Sequence, residues 1–240
     1  MRIAVVSDVH SNLVALDAVL THAGTVDAVW HLGDIVGYGP DPNGVVARLA
    51  EVGAIGVRGN HDAAAIGGLE IEQFNPEARA AMEWTRAAID GTTRAWLEAQ
   101  PLRRQDGAFG LVHGSPRDPT WEYLTSAAIA RASFGAMDTP HGLNGHTHIP
   151  VAFILDGDRI DAIRPRDGDR LALGDRRGLL NPGSVGQPRD GDPAASYLVL
   201  DPEAGVATWH RVGYDIAAVQ AAMVGAGLPR RLAERLGHGA

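Results

Sequence analysis

No cysteine occurs in the 240 residues. Disulfides and thiolate metal sites are therefore excluded, and any metal must be bound by His, Asp or Asn. Basic residues are in deficit, Lys and Arg together numbering 21 against 29 Asp and Glu. The net charge of −8 disfavours the broad basic surface that duplex nucleic acid requires, so nucleic acid is not the expected partner. A small anion at a locally positive metal centre is not excluded by that balance. No stretch approaches the ~20 apolar residues of a membrane span, and no basic leader precedes the first strand. No membrane association is expected, and a cytoplasmic protein is the default.

What the chain does have is a series of short polar islands: Asp8-Val9-His10, Gly33-Asp34, Gly59-Asn60-His61-Asp62, His113-Gly114 and Gly145-His146-Thr147-His148. Four of them follow or end a β-branched, apolar run, so strand ends could gather them on one rim of a sheet. Ile3 to Val6, Ala28 to Leu32 and Ala54 to Val57 read as strands, with helices over Leu13 to Leu20 and Pro42 to Val52 between them. This β-α-β-α-β rhythm implies parallel strands whose carboxyl ends form the ligand edge.

The chain reads as one domain spanning 1–240, with a helical insertion at about 63–105 and a hairpin-rich C-terminal part. Asn75-Pro76-Glu77 is a helix start, and a shorter helix is expected from Thr93 to Ala99. Strand signals resume at Phe109 to Val112 and Gly142 to Gly145, followed by short runs separated by turns such as Asp156-Gly157. The expected fold class is α/β (α+β), two packed sheets flanked by helices. Arg164–Arg177 reads as an exposed hairpin or loop, and Gly237–Ala240 as a frayed end. The C-terminal part either covers the pocket or forms a dimer surface, so a homo-oligomer is an open expectation. Trp84, Trp96 and Trp121 read as core or oligomer contacts rather than base-stacking platforms.

An Asp and a His two apart on a strand would face opposite ways, so Asp8 and His10 must lie where the strand becomes a loop. There both can reach one ion. His146 and His148 could do the same or serve neighbouring ions, Asp34 has two oxygens with which to bridge a pair, and Asn60 offers a neutral carbonyl. Two divalent cations bring +4 against −2 from Asp8 and Asp34, which leaves net positive charge for a hydroxide and a phosphate. Water between ions ~3.5–4 Å apart becomes hydroxide near neutral pH and attacks phosphorus in line. His61, beside Asn60, is the candidate general acid. Asn12, Tyr38, Arg58, Arg117 and Arg189 are candidate substrate contacts; of the arginines, Arg58 stands nearest the islands in sequence.

Taken together, the islands resemble the D-x-H, G-D, G-N-H-[DE], H and G-H-x-H signature of the calcineurin-like metallophosphoesterase superfamily. The likeness runs from Asp8 to His148 and on into Asn181-Pro182-Gly183-Ser184, similar to a loop of its small bacterial and archaeal members. It implies a four-layer α/β/β/α sandwich of two mixed sheets. It also implies Asp8, His10, Asp34 and His148 around one metal, Asp34, Asn60, His113 and His146 around the other, and His61 as the catalytic histidine. The implied cofactors are two divalent ions, manganese or iron first, with zinc, nickel or cobalt as further options. One departure stands out: protein phosphatases of the superfamily carry an acid that orients the catalytic histidine where this chain has Gly37.

The expected activity is that of a metal-dependent phosphoric ester hydrolase acting on a small phosphodiester, phosphomonoester or nucleotide. A diadenosine-polyphosphate hydrolase is a specific version of it. A non-catalytic scaffold of the same fold, as in the retromer subunit, is the alternative; a nuclease is disfavoured by the acidic balance.

Overall fold

Ile3–Val6 (β1) is apolar and has no exposed position, as a strand covered on both faces requires. Asn12 then caps Leu13–Ala23 (α1) by accepting a hydrogen bond from the Ala15 N–H. Ala28–His31 (β2) pairs in parallel with β1. Asp41 caps Pro42–Glu51 (α2), whose proline occupies the first turn, where no donor is missed. Ile55–Gly56 (β3) completes the parallel run beside β2. This is a computed structural model describing residues 1–72 and 74–240.

Three helices follow: Asn60–Ala65 (α3), Pro76–Ala88 (α4, capped by Asn75) and Gly91–Glu98 (α5, capped by Asp90). Arg103–Asp106 (β4) and Phe109–Val112 (β5) form a hairpin, and Ala127–Phe134 (α6) leads to His141–Leu143 (β6). Val151–Asp156 (β7), Arg159–Ile163 (β8), Arg170–Ala172 (β9), Arg177–Asn181 (β10), Ala195–Asp201 (β11) and Val206–Val212 (β12) come next, then Ile216–Gly225 (α7) and Arg230–Glu234 (α8).

The strands form two mixed six-stranded sheets, ordered β3-β2-β1-β11-β12-β9 and β4-β5-β6-β10-β7-β8. Alternation along β1 sets the layering. Ile3 and Val5 join Trp30, Leu198 and Leu200 in facing Phe109, Leu111, Leu143 and Leu180 of the other sheet. Ala4 and Val6 turn the other way, onto Leu16 and Val19 of α1 and Val45 and Leu49 of α2. On the far side, Ala130 and Phe134 of α6 cover Phe153 and Leu179. Each such fully buried aliphatic side chain contributes roughly 1.5–3 kcal/mol relative to exposure. The result is the expected arrangement of helices, sheet, sheet and helix.

Two expectations need correction, and a third is incomplete. The insertion expected to be helical to about 105 ends in a strand. The mostly exposed, polar β4 carries no apolar alternation, and its antiparallel ladder with β5 decides its state. The C-terminal part contains the expected hairpins β7–β8 and β11–β12 but also α7 and α8. In α7 nearly every position is apolar, so no stripe marks the helix from sequence. Gly237–Ala240 is tied down rather than loose: the Gly191 N–H donates to the Gly239 carbonyl at 2.9 Å. No helix among the described residues is long and apolar enough to cross a membrane.

Candidate metal centre

The backbone is strained where the polar islands lie. Non-glycine residues with positive φ are Asp8, His10, Ser11, Asp34, Tyr38, His146 and His148. A left-handed conformation costs about 1–2 kcal/mol at such residues and persists only where surrounding structure enforces it. Here it solves the problem posed by Asp8-Val9-His10: left-handed turns at both residues break the strand alternation and aim both side chains at one point. Two glycines make room for this. A Cβ on Gly59 would lie 2.1 Å from Asp34 Oδ1, and one on Gly145 would lie 1.9 Å from Ser7 Oγ.

Asp8, His10, Asp34 and His148 offer ligand atoms within 4.8 Å of one another, as do Asp34, His113 and His146; every one of these residues is buried. Asp34 belongs to both groups. Its Oδ1 accepts the His61 backbone N–H at 2.9 Å, while its Oδ2 lies 3.3 Å from His113 Nε2 and 3.8 Å from His10 Nε2. Asn60 joins the second group, its Oδ1 standing 3.1 Å from His113 Nε2. His146 and His148 thus serve different groups.

The histidines suit metal ligation in a second way. Each uses one ring nitrogen on a backbone carbonyl: His10 Nδ1 on Val36 at 3.2 Å, His113 Nδ1 on Leu32 at 2.7 Å, His146 Nε2 on Trp121 at 3.2 Å and His148 Nδ1 on Gln187 at 2.6 Å. Donating there fixes the tautomer, so the other nitrogen points its lone pair inward. His10 Nε2 and His148 Nε2 then face each other at 3.1 Å, as do His113 Nε2 and His146 Nδ1, also at 3.1 Å. Asp8 Oδ1 is buried without a hydrogen-bond partner, 3.3 Å from His148 Nε2. Converging lone pairs and an orphan carboxylate oxygen fit cations at both groups.

Burial dominates the ionisation of these groups. It pushes His10 and His148 well below the ordinary imidazole range, His146 to about 3 and His61 to about 4. Asp8 is raised to about 7 by burial, with Asp34 adding repulsion. Burial opposes charge on His113 too, but adjacent Asp34 outweighs it and raises that imidazole to about 9. Asp34 is held well below the usual carboxylate range because His113 and His61 overcome its burial.

Asp62 does not touch the His61 ring. Its carboxylate accepts from the Ile35 and Val36 N–H groups at 2.8 and 3.1 Å and from the Gly59 N–H at 3.0 Å, which clamps the two loops carrying Asp34 and Asn60 together. Among the candidate substrate contacts, Asn12 is committed to structure, capping α1 and donating to the Gly186 carbonyl. Arg58 reaches the Glu98 carbonyl, and Arg117 is paired with Glu122. Arg189 alone of the three arginines exerts its charge on Asp8, His10, His61 and His148, and its guanidinium stands 5.8 Å from the centre of the Tyr38 ring.

The loop that resembles the family at Asn181–Ser184 meets the centre, and two aromatic residues beside it carry no mark in the sequence. Asn181 donates to the Gly145 carbonyl at 2.7 Å and to Thr147 Oγ1 at 3.0 Å, holding the turn that carries His146 and His148. Ser184 Oγ donates to the Asp8 carbonyl at 2.8 Å. Tyr123 stacks on His146 at 3.9 Å and Phe74 on His61 at 4.8 Å, and no sequence pattern marks either.

A model of the calcineurin-like phosphoesterase superfamily domain matches residues 1–205. The chain is 48% identical to a metallophosphoesterase from Sphaerobacter thermophilus, whose crystal structure superposes with a TM-score of 0.91 over 100% of this chain and 99% of that one. Over 242 residues it is 35% identical to the uncharacterized protein MJ0912 of Methanocaldococcus jannaschii, covering 98% of this chain and 96% of that protein. Hypothetical protein PH1004 from Pyrococcus horikoshii OT3 shares the fold at 20% identity, with a TM-score of 0.79 over 100% and 98% of the two chains.

Proposed function

The chain belongs to the calcineurin-like phosphoesterase superfamily, and from that premise we propose that it hydrolyses a small phosphate ester at a two-metal centre built on Asp34. The observation that carries this reading is the inward aim of four imidazoles, each locked through its other nitrogen to a backbone carbonyl. Asp8, His10, Asp34 and His148 would hold one divalent ion, and Asp34, Asn60, His113 and His146 the other. When bound, such ions supply Lewis acidity toward phosphoryl oxygens and lower the pKa of water. Nitrogen and oxygen donors without sulfur suit manganese and iron, and also zinc, nickel and cobalt.

The side chains divide the remaining work. Arg189 would hold a phosphate oxygen, a role supported by its standing beside Tyr38 and by the fork geometry of a guanidinium. In the reaction the oxygen of a water molecule bonds to phosphorus, one of its protons passes to solvent, and the ester P–O bond breaks. The departing ester oxygen keeps the electron pair and takes a proton from His61. Nδ1 of His61 is sealed from solvent, which leaves Nε2 as the nitrogen that meets the leaving group. The anionic substrate favours the protonated imidazole that burial alone disfavours.

A small substrate is favoured over nucleic acid, for which the net charge of −8 offers no extended attraction. The test is a panel of phosphomonoesters, phosphodiesters and dinucleoside polyphosphates, run with manganese, iron, zinc, nickel and cobalt. Metal-dependent turnover of at least one class supports the reading. Full activity after exhaustive chelation contradicts the metal-dependent reading; no turnover of any class by metal-loaded protein also contradicts it and favours the scaffold alternative.

A further inference from the structure

We infer that His61 is positioned by an aromatic clamp, formed by the rings of Phe74 and Tyr38, in place of a carboxylate. The inference rests on the reading of His61 as the group that protonates the leaving oxygen, and it concerns how that proton donor is held.

Catalytic imidazoles are ordinarily oriented by a hydrogen bond to the nitrogen that does not react. His61 has none: its Nδ1 is buried and without a hydrogen-bond partner. Nor is there space for an acid on the neighbouring loop. Gly37 has φ +92°, and a Cβ built on it would stand 2.5 Å from His61 Nδ1. The nearest carboxylate in sequence, Asp62, is fully engaged on three backbone N–H groups.

Ring contacts surround the imidazole instead. Phe74 stacks on it with centroids 4.8 Å apart and planes 13° from parallel. Tyr38 lies 4.5 Å away at 44°, and His10 meets it edge-on at 4.9 Å and 80°. Contacts on several sides fix both the position of the ring and its tilt, two of the freedoms an acid partner would remove. Such aromatic pairs add stabilisation beyond the area they bury.

The clamp is itself anchored. Tyr38 is 7% exposed, takes a left-handed backbone at φ 59°, and packs with Ala78 and Ala81 of α4 and Val219 and Met223 of α7. Phe74 immediately precedes Asn75, the cap of α4, and stands 5.8 Å from Trp121. Phe74 and Tyr38 are thus positioning residues. They explain why the segment before α4 and the C-terminal helices pack beside the centre.

The experiment compares aryl and alkyl phosphodiesters in manganese-loaded protein, because a misplaced acid penalises only a leaving group that needs protonation. Phe74→Leu is expected to lower kcat on the alkyl ester roughly 10- to 100-fold more than on the p-nitrophenyl ester, with KM and metal content unchanged. Phe74→Tyr is expected to restore most of the loss, since it keeps the ring. In zinc-loaded protein, the His61 ring proton resonances are expected to lose the ring-current shift of Phe74 on replacement by Leu. His61→Ala separates the two claims. If it shows no greater loss on the alkyl ester, the assignment of His61 as acid fails. If it does, but Phe74→Leu and Tyr38→Leu slow both esters equally or not at all, the clamp is overturned and the acid assignment survives.

Discussion

Asp34 divides its carboxylate: Oδ1 accepts the His61 backbone N–H at 2.9 Å, while Oδ2 faces His113 Nε2 at 3.3 Å and His10 Nε2 at 3.8 Å. One oxygen fixes the first turn of α3, which begins at Asn60 and carries His61, and the other is common to both candidate metal groups. Asp34→Asn keeps the shape but places an NH2 on one of these positions. The expected outcome is a fall in kcat/KM of at least ~100-fold, with one equivalent of bound metal lost and the other held more weakly, measured by steady-state kinetics and elemental analysis.

Asn181 supports the centre without reaching it. Its side chain holds Gly145 and Thr147, the neighbours of His146, and its Oδ1 accepts from the Gly183 N–H at 2.8 Å. Asn181→Ala is expected to weaken metal affinity about 10- to 100-fold, as loss of groups that orient ligands does elsewhere. Calorimetric titration of manganese checks it; unchanged affinity would place the turn's rigidity elsewhere.

The arginines separate cleanly. Losing a charge-assisted hydrogen bond costs about 1.5–3 kcal/mol, so Arg189→Ala is expected to reduce kcat/KM roughly 10- to 100-fold. Arg58→Ala and Arg117→Ala are expected to stay within about threefold of the parent, since Arg58 donates to the Glu98 backbone carbonyl and Arg117 is paired with the Glu122 carboxylate. Parallel kinetics on the three variants decide the matter.

His31 gives a stability test independent of the metals. It is fully buried, and burial, with Arg104 adding repulsion, lowers its pKa to about 3. The folded chain refuses a proton that the unfolded chain accepts near 6.5. The contribution of neutral His31 is therefore fully present above about pH 6.5 and is lost as pH falls from there toward 3. Between pH 7 and pH 5 the parent is expected to lose about 2 kcal/mol relative to His31→Leu. Urea unfolding of both proteins under chelation measures it, and an equal loss in the two would contradict the assignment.

Much of this architecture was legible in the residues. β1, β2 and β3 announce themselves because strands buried on both faces are continuous apolar runs, and α4 because Asn75-Pro76 marks its start. The ligand islands were legible because Gly-Asp and Gly-Asn-His mark sharp turns at strand ends. The rest was hidden for physical reasons. The polar β4 is decided by its partner β5, and α7 has no amphipathic stripe. The clamp on His61 joins Tyr38 and Phe74 across the fold, a contact that no local pattern encodes. Of three plausible arginines, sequence proximity favoured Arg58, whereas folding brought Arg189 to the centre.

The most direct test counts ions. Protein stripped of metal and then titrated with manganese should bind two equivalents per chain, and Asp34→Asn should lose the second equivalent and weaken the first. A parent protein that saturates at one equivalent, or retains two after Asp34→Asn with unchanged affinity, would contradict a centre built on that shared carboxylate.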